Sequence, residues 1–346
     1  MKKYTLLLFL TICLAASQET VFGQKTFTNP LFSSGADPWI VFRDGFYYYT
    51  STSGSRLFIR KARNMDDLKN SESVTVWTPP QGTDYSREIW APELHFVRGK
   101  WYMYFAADNG KNENHRMYVV ENPSPDPAQG EWIFKGKVSD QTDKWAIDGS
   151  VFEHKGKLYF IWSGWEGDID GQQNIYIARM SNPWTIESDR VLISAPEYEW
   201  ETVGDIRTQD GSRHVNVNEG PVILKNRKKL FMIYSASGCW TDAYCLGMLA
   251  FTGKDPLDKT VWKKYPEPVF KGRPEAGAYA PGHNSFFNSP DGKECWILYH
   301  ANPEAGKGCG RFRSPRAQKF VFKKDGSPDF GVPVEIGKEL PLPAEK

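Results

Sequence analysis

Apolar and polar residues alternate in short runs along this chain, and the runs recur. One pattern occurs five times: a turn, often with Gly, then alternating aromatic and aliphatic residues that end near Tyr or Trp. The copies are RDGFYYYTS from Arg43, RGKWYMYFAA from Arg98, KGKLYFIWSG from Lys155, NRKKLFMIYSA from Asn226 and DGKECWILYHA from Asp291. Alternation with period two is the mark of a β-strand, and Gly in the turn marks a hairpin. A shorter apolar segment precedes each turn: DPWIVF, PELHFV, DGSVFE, EGPVIL and HNSFF. Further strand-like stretches follow, such as MYVVEN, IYIARM and CLGMLAF. The copies lie about 54 to 72 residues apart, which leaves room for four strands in each. Four-stranded units repeated around an axis are the blades of a propeller. The pattern therefore predicts an all-β, five-bladed β-propeller. A sandwich does not require five copies, and a β-helix needs shorter rungs. Helical periodicity is confined to residues 61–70.

The first residues break this pattern. Lys2 and Lys3 precede an apolar run from Leu6 to Ala16, too short to span a bilayer. Small residues and a plausible cleavage point at Gly23 follow. This is the layout of a secretory signal peptide over residues 1–23, leaving 24–346 as one propeller domain. Leu10, Thr11 and Ile12 are not the small residues that lipoprotein processing requires, so anchoring through Cys13 is not expected. No later run is long enough to cross a membrane. Export to a periplasm or the medium permits disulfides. Cys239 could meet Cys245 across a hairpin, and Cys295 could meet Cys309, although four cysteines allow three connectivities.

Composition adds two points. The 346 residues carry 43 Lys and Arg against 42 Asp and Glu, a net charge of +1. That balance excludes the basic excess of a nucleic-acid binder. Aromatic residues make up 14% of the chain, and ring-rich surfaces suit sugar faces.

The repeat also places polar groups. The innermost strand of each blade runs along the propeller axis, so residues at one phase of the repeat surround one mouth. At that phase stand Asp37, Glu93, Asp148, Glu219 and, in the last copy, His283 with Asn284. Carboxyl groups crowded together cannot all ionise freely, so their pKa values separate. A proton donor beside a base is what glycoside hydrolysis requires. Trp39, Trp90, Trp145, Trp165 and Trp240 lie near strand starts or in loops that could reach the same mouth.

In this order, ADPWIVF, WAPELHF, AIDGSVF, NEGPVIL and PGHNSFF resemble the motifs of glycoside hydrolase family 43, over about residues 29–343. The resemblance implies a five-bladed propeller and an inverting reaction with three carboxylates. By motif position it makes Asp37 the base that activates water, Asp148 the residue that orients the acid and tunes its pKa, and Glu219 the acid. His283 matches a histidine associated with a structural calcium ion in the central channel; no organic cofactor is implied. Arg316 in SPRAQKF matches an arginine that reaches the sugar. Trp90, Glu93, Trp165, Trp240 and Arg316 are accordingly the expected substrate-binding residues.

The family acts mainly on α-L-arabinofuranosides and β-D-xylosides. The last-blade run through GCGRFRSPRAQKF is most similar to members that release arabinose from arabinan or arabinoxylan, polysaccharides of the plant cell wall. An α-L-arabinofuranosidase is therefore expected, with a β-D-xylosidase or dual enzyme as the alternative. Residues 197–215 are expected to form one wall of the site. A non-catalytic glycan-binding propeller is the reading from another class, but it does not call for all three carboxylates. The fructan-cleaving propellers carry a different N-terminal motif.

Overall fold

The computed structural model describes residues 25–345 apart from 169–170, 205 and 208–213, with the backbone alone at 206, 207 and 214. The expected signal peptide and Cys13 lie outside the described residues. Five antiparallel sheets surround one axis. Their inner strands are Trp39–Arg43, Arg87–Val97, Ala146–His154, Asn218–Asn226 and Tyr279–Asn288. Each inner strand pairs with the aromatic run that follows its turn: Phe46–Thr50, Lys100–Asp108, Lys157–Gly164, Lys229–Ala236 and Cys295–Asn302. Two or three outer strands complete each blade. The five-bladed propeller expected from the repeat is the fold found.

Local chemistry explains the hairpins. Arg43 pairs with Phe46, Val97 with Lys100 and His154 with Lys157, so only two residues make each turn. Both of those residues have positive φ at Asp44 and Gly45, Arg98 and Gly99, and Lys155 and Gly156. That conformation matches the twist of the flanking strands. In residues 61–70 the helical periodicity yields one turn, Met65–Leu68, capped by the Asn64 side chain on the Asp67 amide. The strand Leu57–Ala62 takes the start of that window.

The core lies between blades and not within them. Five clusters of buried apolar side chains fill the five blade interfaces. Alternation along one strand serves two of them. Tyr102, Tyr104 and Ala106 face the third blade, whereas Trp101, Met103 and Phe105 face the first. This is why the second strands read as unbroken ring-rich runs: they are covered on both faces. The ring closes where the fifth blade meets the first, with Ile40, Tyr47 and Tyr49 against Phe287, Trp296 and Leu298. A strand at Thr26–Thr28 pairs with Glu339–Pro341. Beyond it, the Asn29 side chain bonds both backbone groups of Ala317, at 2.8 and 2.9 Å. The two ends of the described chain are thus fastened to the same side of the ring.

One backbone feature recurs at the head of the inner strands. Asp37, Ala91, Asp148, Gly220 and His283 all have positive φ, between 44° and 56°. Four of them are non-glycine residues, for which this conformation costs roughly 1–3 kcal/mol each. The strand ladder is interrupted there in the second to fifth blades, and Asp37 lies just before its strand begins. Asp37, Asp148 and His283 therefore occupy one phase of the repeat. Glu219 stands one residue before it and Glu93 two residues after it, so the expected ring of equivalent positions is staggered along the axis.

Candidate active site

The left-handed residues are tied from blade to blade. The Ala91 amide donates to Thr52 Oγ1 at 2.8 Å, the Gly220 amide to Asp148 Oδ2 at 3.1 Å, and the His283 amide to Ser235 Oγ at 2.8 Å. The Asp37 amide donates to His300 Nδ1 at 3.1 Å. Each bond reaches the preceding blade, usually at the end of its second strand. The backbone kinks thus turn Asp37, Asp148 and Glu219 into one cavity of about 470 Å³. Trp90, Trp145, Trp165, Trp240, His283 and Arg313 also line it.

The three carboxyl groups have different surroundings. Burial opposes ionisation of Asp37, but the Arg313 guanidinium and the Thr52 hydroxyl outweigh it and hold this group well below the usual carboxylate range. Arg313 lies 3.1 Å from Asp37 Oδ1, and Thr52 donates to Oδ2 at 2.6 Å. Burial pushes Asp148 up, reinforced by the charges of Glu219 and Asp37. Burial also raises Glu219, to about 7, against the lowering effect of the Tyr244 hydroxyl, which donates to its Oε1 at 2.7 Å. The cavity therefore holds an ionised carboxylate and a neighbouring acidic pair that retains a proton at neutral pH.

The histidines are neutral. Burial pushes both His283 and His300 down. His300 Nδ1 already accepts the Asp37 amide, so its proton sits on Nε2. Its 3.6 Å approach to Asp37 Oδ1 is accordingly a contact and not an ion pair. His283 Nδ1 lies 3.4 Å from Asp37 Oδ1 and 3.9 Å from Asp148 Oδ2.

For a cation, Asp148, Glu219 and His283 offer ligand atoms within 4.8 Å of one another. Calcium takes about six to eight oxygens, more than this set provides. The Asn284 amide, next in sequence, is buried with both polar atoms unpaired. A calcium ion held by His283 would take much of its shell from water.

Several expected positions are corrected. Trp90, Trp165 and Trp240 line the cavity, and so does Trp145. Trp39 instead lines a second cavity with His95 and Phe286. Glu93 is not among the lining residues: it is buried, 2.8 Å from His95 Nε2, and burial raises its pKa. Arg316 is also absent from the lining. It lies fully buried within the strand Ser314–Phe322, opposite Tyr299. Arg313, in the loop before that strand, meets Asp37 instead. Neither expected disulfide forms. Cys239 pairs with Cys309, while Cys245 and Cys295 are free. Cys295 opens an eight-residue strand that must be traversed before Cys309 is reached, a length of roughly 25 Å. The observed bond joins the loop that carries Trp240 to the loop that carries Arg313. Of the expected wall, residues 205 and 208–213 lie outside the described residues; Val215 lines the cavity.

Thr52, Tyr244, His300 and Arg313 escape a search confined to the inner strands. Their one signal is that the second strands run back to the same mouth and the third strands leave it: Thr52 and His300 lie at the ends of second strands, Tyr244 and Arg313 just before third strands.

The comparisons agree with this architecture. The family described as "Glycosyl hydrolases family 43" matches residues 27–328. A Streptomyces avermitilis protein named "Extracellular exo-alpha-(1->5)-L-arabinofuranosidase" is 38% identical over 90% of this chain, which spans 64% of that protein's length. A Streptomyces chartreusis protein of the same name is also 38% identical, over 80% of this chain and 82% of its own. The crystal structure of an alpha-L-arabinofuranosidase from Lactobacillus brevis superposes with a TM-score of 0.82 at 37% identity, covering 90% of this chain and 98% of that one.

If Arg313 is what keeps Asp37 ionised, Arg313→Met should move the acidic limb of the kcat/KM–pH profile to higher pH. It should also lower kcat/KM by about 10²-fold, the scale of one acid–base contribution. An unmoved acidic limb would contradict this assignment.

Proposed function

The chain belongs to glycosyl hydrolase family 43, and on that premise we propose that it is an exported, inverting α-L-arabinofuranosidase acting on arabinan or arabinoxylan. The observation that carries this reading is that two carboxyl groups lining one cavity have opposite surroundings, an arginine beside Asp37 and a tyrosine hydroxyl beside Glu219. Asp37 lies 3.1 Å from Arg313, which holds it ionised, and Glu219 is half-buried and raised to about 7.

The reaction follows from these states. Asp37 removes a proton from a water molecule whose oxygen attacks the anomeric carbon. The bond from that carbon to the leaving oxygen breaks, and Glu219 donates its proton to that oxygen. Burial and the negative charge of Asp37 keep the acid protonated, and Asp148 orients it. Its Oδ2 accepts the Gly220 amide, the residue after Glu219, so it also fixes the acid's backbone. Attack from the face opposite the leaving group inverts the anomeric centre.

The substrate assignment rests on the two Streptomyces relatives and the Lactobacillus brevis structure, each named as an arabinofuranosidase. Trp145 and Trp165 stack on each other, with ring centroids 4.7 Å apart, and border the cavity together with Trp90 and Trp240. Aromatic faces of this kind suit a furanose ring. Export is supported by the disulfide, which needs an oxidising compartment, and by the word "extracellular" in both Streptomyces names. Among the described residues no helix is long and apolar enough to cross a membrane.

The direct test is hydrolysis of nitrophenyl arabinofuranoside and nitrophenyl xyloside, with the product anomer followed by NMR. Wild type should favour the arabinofuranoside and release the inverted anomer first. Glu219→Ala should lose about 10²–10⁴-fold in kcat/KM on unactivated arabino-oligosaccharides. A preference for the xyloside would support the β-xylosidase alternative. Retained configuration would contradict the roles of Asp37 and Glu219, and tight glycan binding without hydrolysis would favour a binding module.

His283, with water, is the proposed place for calcium. Bound there, the ion would hold the imidazole in its neutral form and add fixed positive charge beside the carboxylates. Chelation should lower the melting temperature, and added calcium should restore it. A melting temperature indifferent to both would remove the ion from the account.

A further inference from the structure

A carboxylate outside the cavity, Glu201, lies fully buried in the connection between the third and fourth blades. Its surroundings are built for an ion. Oε2 accepts the amides of Glu197 and Tyr198, at 2.8 and 3.0 Å. Oε1 accepts the Tyr234 hydroxyl at 2.8 Å and the Asn218 side-chain amide at 3.0 Å. Lys264 Nζ lies 3.0 Å from both oxygens and also bonds the Ala195 carbonyl at 2.6 Å. Burial opposes ionisation of Glu201, but these donors outweigh it and hold the group low.

This network reaches the cavity along two routes. Asn218 immediately precedes Glu219, and its side chain is gripped from both ends: Nδ2 by Glu201, Oδ1 by the Ser194 hydroxyl at 2.8 Å. The other route runs through the turn that Glu201 closes. The Ser237 hydroxyl donates to the Trp200 carbonyl at 2.6 Å, and the Gly238 amide donates to the Val203 carbonyl at 2.9 Å. The Trp240 indole donates to the Gly204 carbonyl at 2.8 Å. Residues 197–204 therefore hold the Cys239–Trp240 corner of the cavity, while Asn218 holds the strand at Glu219.

We infer that Glu201, paired with Lys264, is a positioning residue that sets Glu219 for proton donation through Asn218, and sets Trp240 through the 197–204 turn. A buried ion pair is weak support for stability, because desolvation offsets much of the attraction. Its use here is directional: a saturated carboxylate allows the Asn218 amide one orientation.

The inference rests on the reading of Glu219 as the acid, and leaving-group dependence separates the two. Nitrophenolate departs with little help from an acid, whereas the sugar alkoxide of arabinobiose needs its proton. The ratio of kcat/KM on nitrophenyl arabinofuranoside to kcat/KM on arabinobiose is therefore measured for wild type, Glu201→Ala, Lys264→Met, Glu201→Gln/Lys264→Met and Glu219→Ala. All assays are run well below each variant's melting temperature. Glu219→Ala should raise the ratio most. Glu201→Ala and Lys264→Met should raise it about tenfold, and Lys264→Met decides if Glu201→Ala does not fold. The double variant, which removes the charges but keeps the side-chain bulk, should raise it too, because the carboxylate that orients Asn218 is gone. A raised ratio in Glu219→Ala alone, with equal losses on both substrates in the other variants, overturns the positioning role. An unchanged ratio in Glu219→Ala itself would instead overturn the acid assignment, and the inference with it.

Discussion

The hydrogen bonds that run from blade to blade beneath the cavity are the constraint on which the remaining geometry depends. Each inner strand enters through a left-handed residue, and a strained backbone of that kind persists only when its surroundings determine it. The preceding blade supplies the determination, through Thr52, Asp148, Ser235 and His300. The same atoms then do chemical duty. Thr52 accepts the Ala91 amide and donates to Asp37. Asp148 accepts the Gly220 amide and faces Glu219. The groups that close the ring are the groups that set the protonation of the carboxyls.

Electrical asymmetry comes from one arginine. Asp37, Asp148 and Glu219 share a buried cavity, and burial alone would raise all three. Arg313 contacts only Asp37 at hydrogen-bond distance, so that group ionises while the other two retain a proton between them. The position of Arg313 depends in turn on a loop fastened by Cys309 to Cys239, next to Trp240. The covalent bond therefore links the base's counter-ion to an aromatic wall of the same cavity, and the buried Glu201 network supports that wall from behind.

Fold and site were unequally legible in the sequence. Period-two alternation in five copies reports directly on strands covered on both faces, so blade number and strand order could be read without structure. The inner-strand motifs likewise located Asp37, Asp148, Glu219 and His283. Three things stayed hidden because they depend on contacts between distant blades. Glu93 looks equivalent to Asp148 until the left-handed residue is located at Ala91, two positions earlier. Arg316 looks like the sugar-facing arginine until the strand beginning at Ser314 carries it inside the sheet and leaves Arg313 on the loop. The cysteines nearest in sequence are held apart by the strands between them. Motif order survives without three-dimensional information, but the register of a kinked strand and the pairing of loops across blades do not.

The central claim is that one cavity keeps Asp37 ionised and Glu219 protonated. Infrared difference spectroscopy of wild type against Glu219→Gln, titrated with acid and base, observes the protonated carboxyl directly. The account predicts a carboxylic-acid band that disappears with a midpoint near 7 and is missing from the variant. A midpoint near the ordinary glutamate value of about 4.3 would contradict it.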